Sequence, residues 1–165
     1  MEPNIFQPIW FVLWGVLWGV YFMLDGFGLG TGFMSGFLAK DDTERRVLIN
    51  TVGPVWDGNE TWLVLGGAGL LGAFPLVYSI LLPALYIGVF LMLAGLIFRG
   101  IAFEFRFKAR SSRYLWNWAF AGGSTVAAFA QGVVVGTYIE GYETANGVFT
   151  GGALDWLTPS ATSAS

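Results

Sequence analysis

The stretch from Phe74 to Phe98, FPLVYSILLPALYIGVFLMLAGLIF, runs for 25 residues without a charged side chain. About 18 apolar residues in a row already nominate a transmembrane helix, because the bilayer core holds no water to solvate a charge. A second run, Leu115 to Ile139, is also 25 residues long and uncharged. The whole chain follows suit. Of its 165 residues, 55% are apolar and 12% charged, about half the charge of a soluble domain. Mean hydropathy is +0.63. So few charges cannot cover a water-facing surface, and the sequence predicts an all-α integral membrane protein.

Four spans can be drawn, roughly 9–38, 47–74, 76–98 and 115–139. The loops orient them. Lys40, Arg45 and Arg46 lie between the first two spans, and Arg99, Arg106, Lys108, Arg110 and Arg113 between the last two; these are all eight basic residues. Basic loops stay in the cytoplasm, so the expectation is a four-transmembrane-helix bundle over residues 1–140, N-out and C-out. Residues 141–165 are small, polar and aperiodic, and read as a polar external loop or tail. The N-terminus carries Glu2 and no basic residue before its apolar stretch. It is read as a permanent first span rather than a secretory signal.

Two zeros narrow the chemistry. There is no Cys and no His, which excludes thiolate and imidazole metal sites, disulfides and Ser–His triads. Haem ligation would fall to Met23, Met34 or Met92, or less plausibly a Tyr. No catalytic or metal-binding residue is expected in this chain, and nothing points to nucleic acid.

Glycines stand at 26, 28, 30, 32 and 36, without the strand context or the Lys of a phosphate loop. In a span they read as close-packing surfaces: Gly15/Gly19 and Gly32/Gly36 have G-x-x-x-G spacing, and Gly66, Gly67, Gly69 and Gly72 extend the theme to the second span. The expectation is tight packing of the first two spans. Trp10, Trp14 and Trp18 share one helix face, read as a lipid-facing aromatic stripe, with cofactor stacking as the alternative.

Asp25, Asp57 and Glu60 fall inside apolar spans. A carboxylate at a helix centre costs about 2.5–3.5 kcal/mol on insertion scales, so these acids must face protein or water. Gly53-Pro54 precedes Trp56-Asp57-Gly58-Asn59-Glu60, and Pro54 both removes a helix hydrogen bond and clashes with the carbonyl of Asn50. The kink and its acids predict a polar pocket. Counted from Val47, Asp57 lies roughly 15 Å in, at 1.5 Å per residue. Two readings stay open: acids that bond neighbouring helices, or acids that move ions or protons. Glu104 and Lys108 are spaced i, i+4, which suits a surface ion pair.

The assembled motifs resemble the N-terminal half of subunit II of cytochrome bd-type quinol oxidases, including the cyanide-insensitive relatives. The resemblance rests on Asp25-Gly-Phe-Gly-Leu-Gly-Thr-Gly, Asp42-Thr-Glu-Arg-Arg, Gly-Pro-Val-Trp56-Asp57-Gly58-Asn59, and Phe98-Arg99 leading to Phe103-Glu104-Phe105-Arg106. It implies the first of two four-helix bundles in a multi-pass subunit of the cell (inner or plasma) membrane. That subunit carries no haem itself and belongs to a quinol:oxygen oxidoreductase without being its redox centre. Its implied partner is subunit I, which bears the b and d haems, oxidises quinol and reduces dioxygen to water with cytoplasmic protons. Some members hold a structural quinone in subunit II. The family's proton pathway maps onto Lys108, Glu104 and Asp57.

Two departures matter. Gly28 stands where the family often has a second acid, and the family subunit is about twice this length. A separate chain supplying the second half, or a small accessory subunit, joins subunit I and membrane lipids among the implied partners. The rival readings are a purely structural or assembly subunit, and half of a secondary transporter.

Overall fold

The computed structural model describes residues 5–141, 144–145, 148–150 and 152. Its helices are α1 (Phe6–Phe37), α2 (Asp42–Val52), α3 (Trp56–Ala73), α4 (Pro75–Lys108) and α5 (Arg113–Glu140). A two-residue antiparallel ladder follows, β1 (Thr144–Ala145) with β2 (Val148–Phe149), and β2 lies beside α4. The architecture is an all-α bundle. Among the described residues three helices, α1, α4 and α5, are long and apolar enough to cross a membrane.

The stretch 47–74, read above as one span, holds parts of two helices. α2 closes at Val52, and the chain turns through Gly53, Pro54 and Val55 before α3 begins. Pro54 has no N–H for the carbonyl of Asn50, and its ring crowds that carbonyl. At its other end α2 is capped: the Glu44 N–H donates to Asp41 Oδ1 at 2.8 Å, and the Lys40 N–H donates to Glu44 Oε2 at 2.8 Å. Such a cap contributes about 1 kcal/mol. The charged Asp42-Thr-Glu-Arg-Arg segment is therefore the first turn of a helix.

The third span also departs from its expected bounds. α4 continues ten residues past Phe98, to Lys108. Its buried positions Met92, Gly95, Leu96, Arg99, Ala102 and Arg106 form one stripe, at the three- and four-residue steps of a helix face. Arg99 is thus a buried helical residue and not part of a basic loop.

The close contacts fall elsewhere than the glycine pattern suggested. α4 and α5 cross backbone to backbone, where a Cβ on Gly95 would lie 2.7 Å from the Gly123 carbonyl oxygen. Gly32 and Gly36 of α1 face Ser124 and Ala121 of α5, so this G-x-x-x-G pair serves the fourth predicted span. Gly15 and Gly19 have no neighbour within 4 Å of a built Cβ. α1 does pack on α3, chiefly through tryptophan. The Trp14 indole N–H donates to the Gly66 carbonyl at 2.9 Å, and Trp18 lies over Gly66. Two of the three stripe tryptophans therefore turn toward protein, leaving Trp10 exposed.

The central apolar core joins Tyr21 and Leu29 of α1, Leu63 of α3, Met92 and Leu96 of α4, and Ala127 and Ala130 of α5. A second cluster at the basic end joins Ile49, Val52, Ala102 and Phe120. The polar site adjoins both clusters: Tyr21 belongs to the first, and Arg99 lies between Leu96 of the first and Ala102 of the second on α4.

Candidate functional site

Asp25 and Arg99 meet at the centre of the bundle. Each side chain is 0% exposed. The guanidinium grips the carboxylate with two bonds, Nη2 to Oδ1 at 2.8 Å and Nη1 to Oδ2 at 3.1 Å. This fork-on-carboxylate geometry is the strong form of an ion pair. The Tyr21 hydroxyl, one helical turn before Asp25, donates to Oδ2 at 3.2 Å, and Gln131 of α5 donates to the Tyr21 oxygen. On the other side, Arg99 Nη1 lies 3.9 Å from Glu60 Oε1. Asn59 fixes α3 against α1 by donating to the Leu24 carbonyl at 3.2 Å. Helices α1, α3, α4 and α5 each contribute to one polar layer.

Gly28 makes room for that layer. A Cβ there would sit 2.5 Å from Arg99 Nη2 and 3.1 Å from Asp25 Oδ1. Where the resembled family often has a second acid, this chain has the space that the guanidinium occupies.

The α2–α3 break forms a second feature. A cleft of about 280 Å³ is lined by Ile49, Asn50, Gly53, Trp56, Gly100, Phe103, Glu104 and Phe107. Trp56 stacks on Phe103 with ring centroids 5.1 Å apart. Glu104 borders this cleft and pairs with Lys108, both side chains being exposed. Asp57 lies in the first turn of α3, where the helix dipole favours a carboxylate. The depth estimate for Asp57 assumed one continuous helix, and the break replaces that setting with a helix start. Asp57 is exposed, and its carboxylate makes no hydrogen bond or ion pair among the described residues. Gly58 beside it is also open.

The predicted residues therefore divide into groups. Asp25, Asn59 and Glu60 join the central layer; Trp56 and Glu104 share the cleft; Asp57 faces outward from α3. Met92 belongs to the apolar core, while Met23 and Met34 are exposed.

Comparison with known proteins adds the decisive observation. The profile of the family described as "Cytochrome bd terminal oxidase subunit II" matches residues 6–164. The chain belongs to that family. It is 37% identical to "Cytochrome bd-I ubiquinol oxidase subunit 2" of Escherichia coli (strain K12) over 143 residues, covering 86% of this chain and 38% of the relative. It is 42% identical to "Cytochrome bd ubiquinol oxidase subunit 2" of Bacillus subtilis (strain 168) over 135 residues, covering 81% and 40%. With "Probable cytochrome oxidase subunit 2" of Haemophilus influenzae it shares 35% over 158 residues, covering 92% and 42%. The chain spans about two fifths of the length of these curated relatives.

In this subunit II chain the residues that sequence reasoning missed are Tyr21, Arg99 and Gln131. Arg99 was legible in principle, because Met92, Leu96, Arg99, Ala102 and Arg106 keep helical spacing through and beyond the apolar run. Tyr21 carried a weaker signal, four residues before Asp25. Gln131 gave none, since a lone amide in a span has many uses.

Proposed function

We propose that this chain is the haem-free subunit of a cytochrome bd-type quinol oxidase, supporting a haem-bearing subunit I and carrying protons toward it from the cytoplasm. In this reading α3 is a fourth membrane span, both termini lie outside, and the bundle sits in the inner or plasma membrane. The clustering of Lys40, Arg45, Arg46, Arg106, Lys108, Arg110 and Arg113 at one end of the bundle supports the orientation. Haem chemistry, quinol oxidation and reduction of dioxygen to water belong to the partner, because this chain offers neither imidazole nor thiolate. Family membership speaks against the transporter-half alternative.

The observation that carries the reading is the outward face of α3. Asp57 is exposed there beside Thr61, Val64 and Ala68. A carboxylate facing lipid is disfavoured, so a partner surface should cover this face. The route runs from Lys108 and Glu104, at the mouth of the cleft, past Trp56 to Asp57. Lys108 and Glu104 hold water at the entrance, and Asp57 accepts and releases the proton next to the partner.

Asp57→Asn in the assembled complex tests this. It keeps size and much of the hydrogen bonding but cannot exchange a proton. Oxygen reduction or its coupled proton uptake should slow while haem content stays near that of the wild type. A fully assembled variant that turns over and takes up protons normally would take Asp57 off the path. The assembly-subunit reading has its own support in the Asp25–Arg99 pair, which ties α1 to α4; it predicts activity lost only in step with lost complex.

A further inference from the structure

The central layer holds two carboxylates, Asp25 and Glu60, against one guanidinium. Asp25 claims Arg99 through two short bonds. Glu60 is left with a longer contact at 3.9 Å, and its Oε1 accepts no hydrogen bond among the described residues. Its side chain is 22% exposed, whereas Asp25 and Arg99 are wholly enclosed. Glu60 therefore touches the buried pair at one end and the outside of the bundle at the other. Asp57 stands three residues earlier on α3, a spacing at which helical side chains are neighbours.

We propose that Glu60 is a proton-exchange site of this subunit, with the Arg99–Asp25 pair as its fixed counter-charge. The proposal rests on the reading that the subunit delivers protons, and it adds the residue at which a proton is held. With Glu60 ionised the three-group layer carries net −1; with Glu60 protonated it is neutral. The two states differ by one proton and require no ion pair to be broken. Among the described residues, the charged and titratable groups around Glu60 are Arg99 (α4), Asp25 and Tyr21 (α1) and Asp57 (α3). In the transfer, the O–H bond of a protonated Asp57 breaks and an O–H bond forms on a Glu60 carboxylate oxygen, leaving Asp57 ionised. Release reverses the step toward a base on the surface that covers α3.

Asp25 cannot serve the same purpose. A proton on it would break the two-bond contact with Arg99 that holds the layer together. Arg99 is accordingly a positioning residue: it acts through Glu60 and Asp25 and exchanges no proton itself.

The test uses the whole membrane complex and a hydrophobic carbodiimide, which reacts with protonated carboxyl groups in apolar surroundings. Peptide mapping of the wild-type complex should find the adduct on Glu60 and none on Asp25. Glu60→Gln should keep haem content and lose the adduct. It should slow coupled proton uptake on the order of 10²-fold, the usual contribution of a positioned proton-transfer group. Glu60→Asp should recover part of that rate. A merely structural role predicts the opposite order, because Gln preserves the length of the side chain and Asp does not. Normal proton uptake by assembled Glu60→Gln enzyme overturns the proposal. Should that variant fail to assemble, the wild-type mapping decides: an unmodified Glu60 across the working pH range overturns it as well. A wild-type complex with no quinol-dependent oxygen consumption would instead break the oxidase reading, and the Glu60 adduct would still report proton exchange.

Discussion

Two arginine–aspartate pairs of nearly equal length stand at different depths in this bundle. Arg99 meets Asp25 at 2.8 Å with both side chains fully enclosed, whereas Arg106 meets Asp42 at 2.7 Å with the aspartate half exposed. Asp42 also accepts from Arg113 at 3.2 Å, and Asn117 accepts from Arg106 Nε at 2.6 Å. At the basic end, several groups and solvent share the charge. In the central layer one partner carries nearly all of it. Distance is the same in both places, so burial decides what each pair is worth and what its loss costs. An enclosed pair is expensive to break because the surviving charge stays buried; a half-exposed one can be rehydrated.

The largest expected effect tests the enclosed pair. Arg99→Leu strands Asp25 and should destabilise the bundle by about 3–5 kcal/mol, read as lost assembled complex and a lower Tm in detergent. Combining it with Asp25→Leu removes both charges, and the double variant should be more stable than either single one. If the double loss equals the sum of the single losses, the two residues are not energetically coupled and the contrast collapses.

A smaller effect is expected at the basic end. Asp42→Ala removes the acceptor of two guanidinium groups while Arg106 keeps Asn117, so the loss should be about 1.5–3 kcal/mol, the range for hydrogen bonds to charged groups. Thermal unfolding at low and high salt sharpens the comparison. Added salt should shrink the Asp42 effect and leave the Arg99 effect nearly unchanged, because ions screen only what water reaches.

The smallest effect belongs to Glu104 and Lys108, whose side chains are 65% and 71% exposed. Lys108→Ala should change stability by no more than about 0.5 kcal/mol, as for exposed i, i+4 pairs. A clear slowing of proton uptake without a change in Tm would then assign Lys108 to the entrance of the route. A fall in Tm comparable to that of Asp42→Ala would show that exposure does not rank these pairs.

The sequence by itself determined the class of molecule. Two uncharged runs of 25 residues, with no Cys and no His, fix a helical membrane protein without its own imidazole or thiolate cofactor site. Apolar length and composition are properties of single helices, and a linear reading captures them. The break at Gly53-Pro54 and the buried position of Asp25 in an apolar span were legible for the same reason: each follows from local chemistry. Partner choice was not. Composition assigned Arg99 to a basic loop beside Arg106, yet α4 runs on and turns it onto Asp25, 74 residues away. The Gly32/Gly36 surface fitted any neighbouring helix and met α5; Trp14 and Trp18 suited lipid and met Gly66. Asp57 and Glu60 were both assigned to one polar pocket, and packing left one exposed and turned the other toward Arg99. Which charge is matched depends on how four helices rotate about their axes, and that rotation is set by the summed packing of all their side chains.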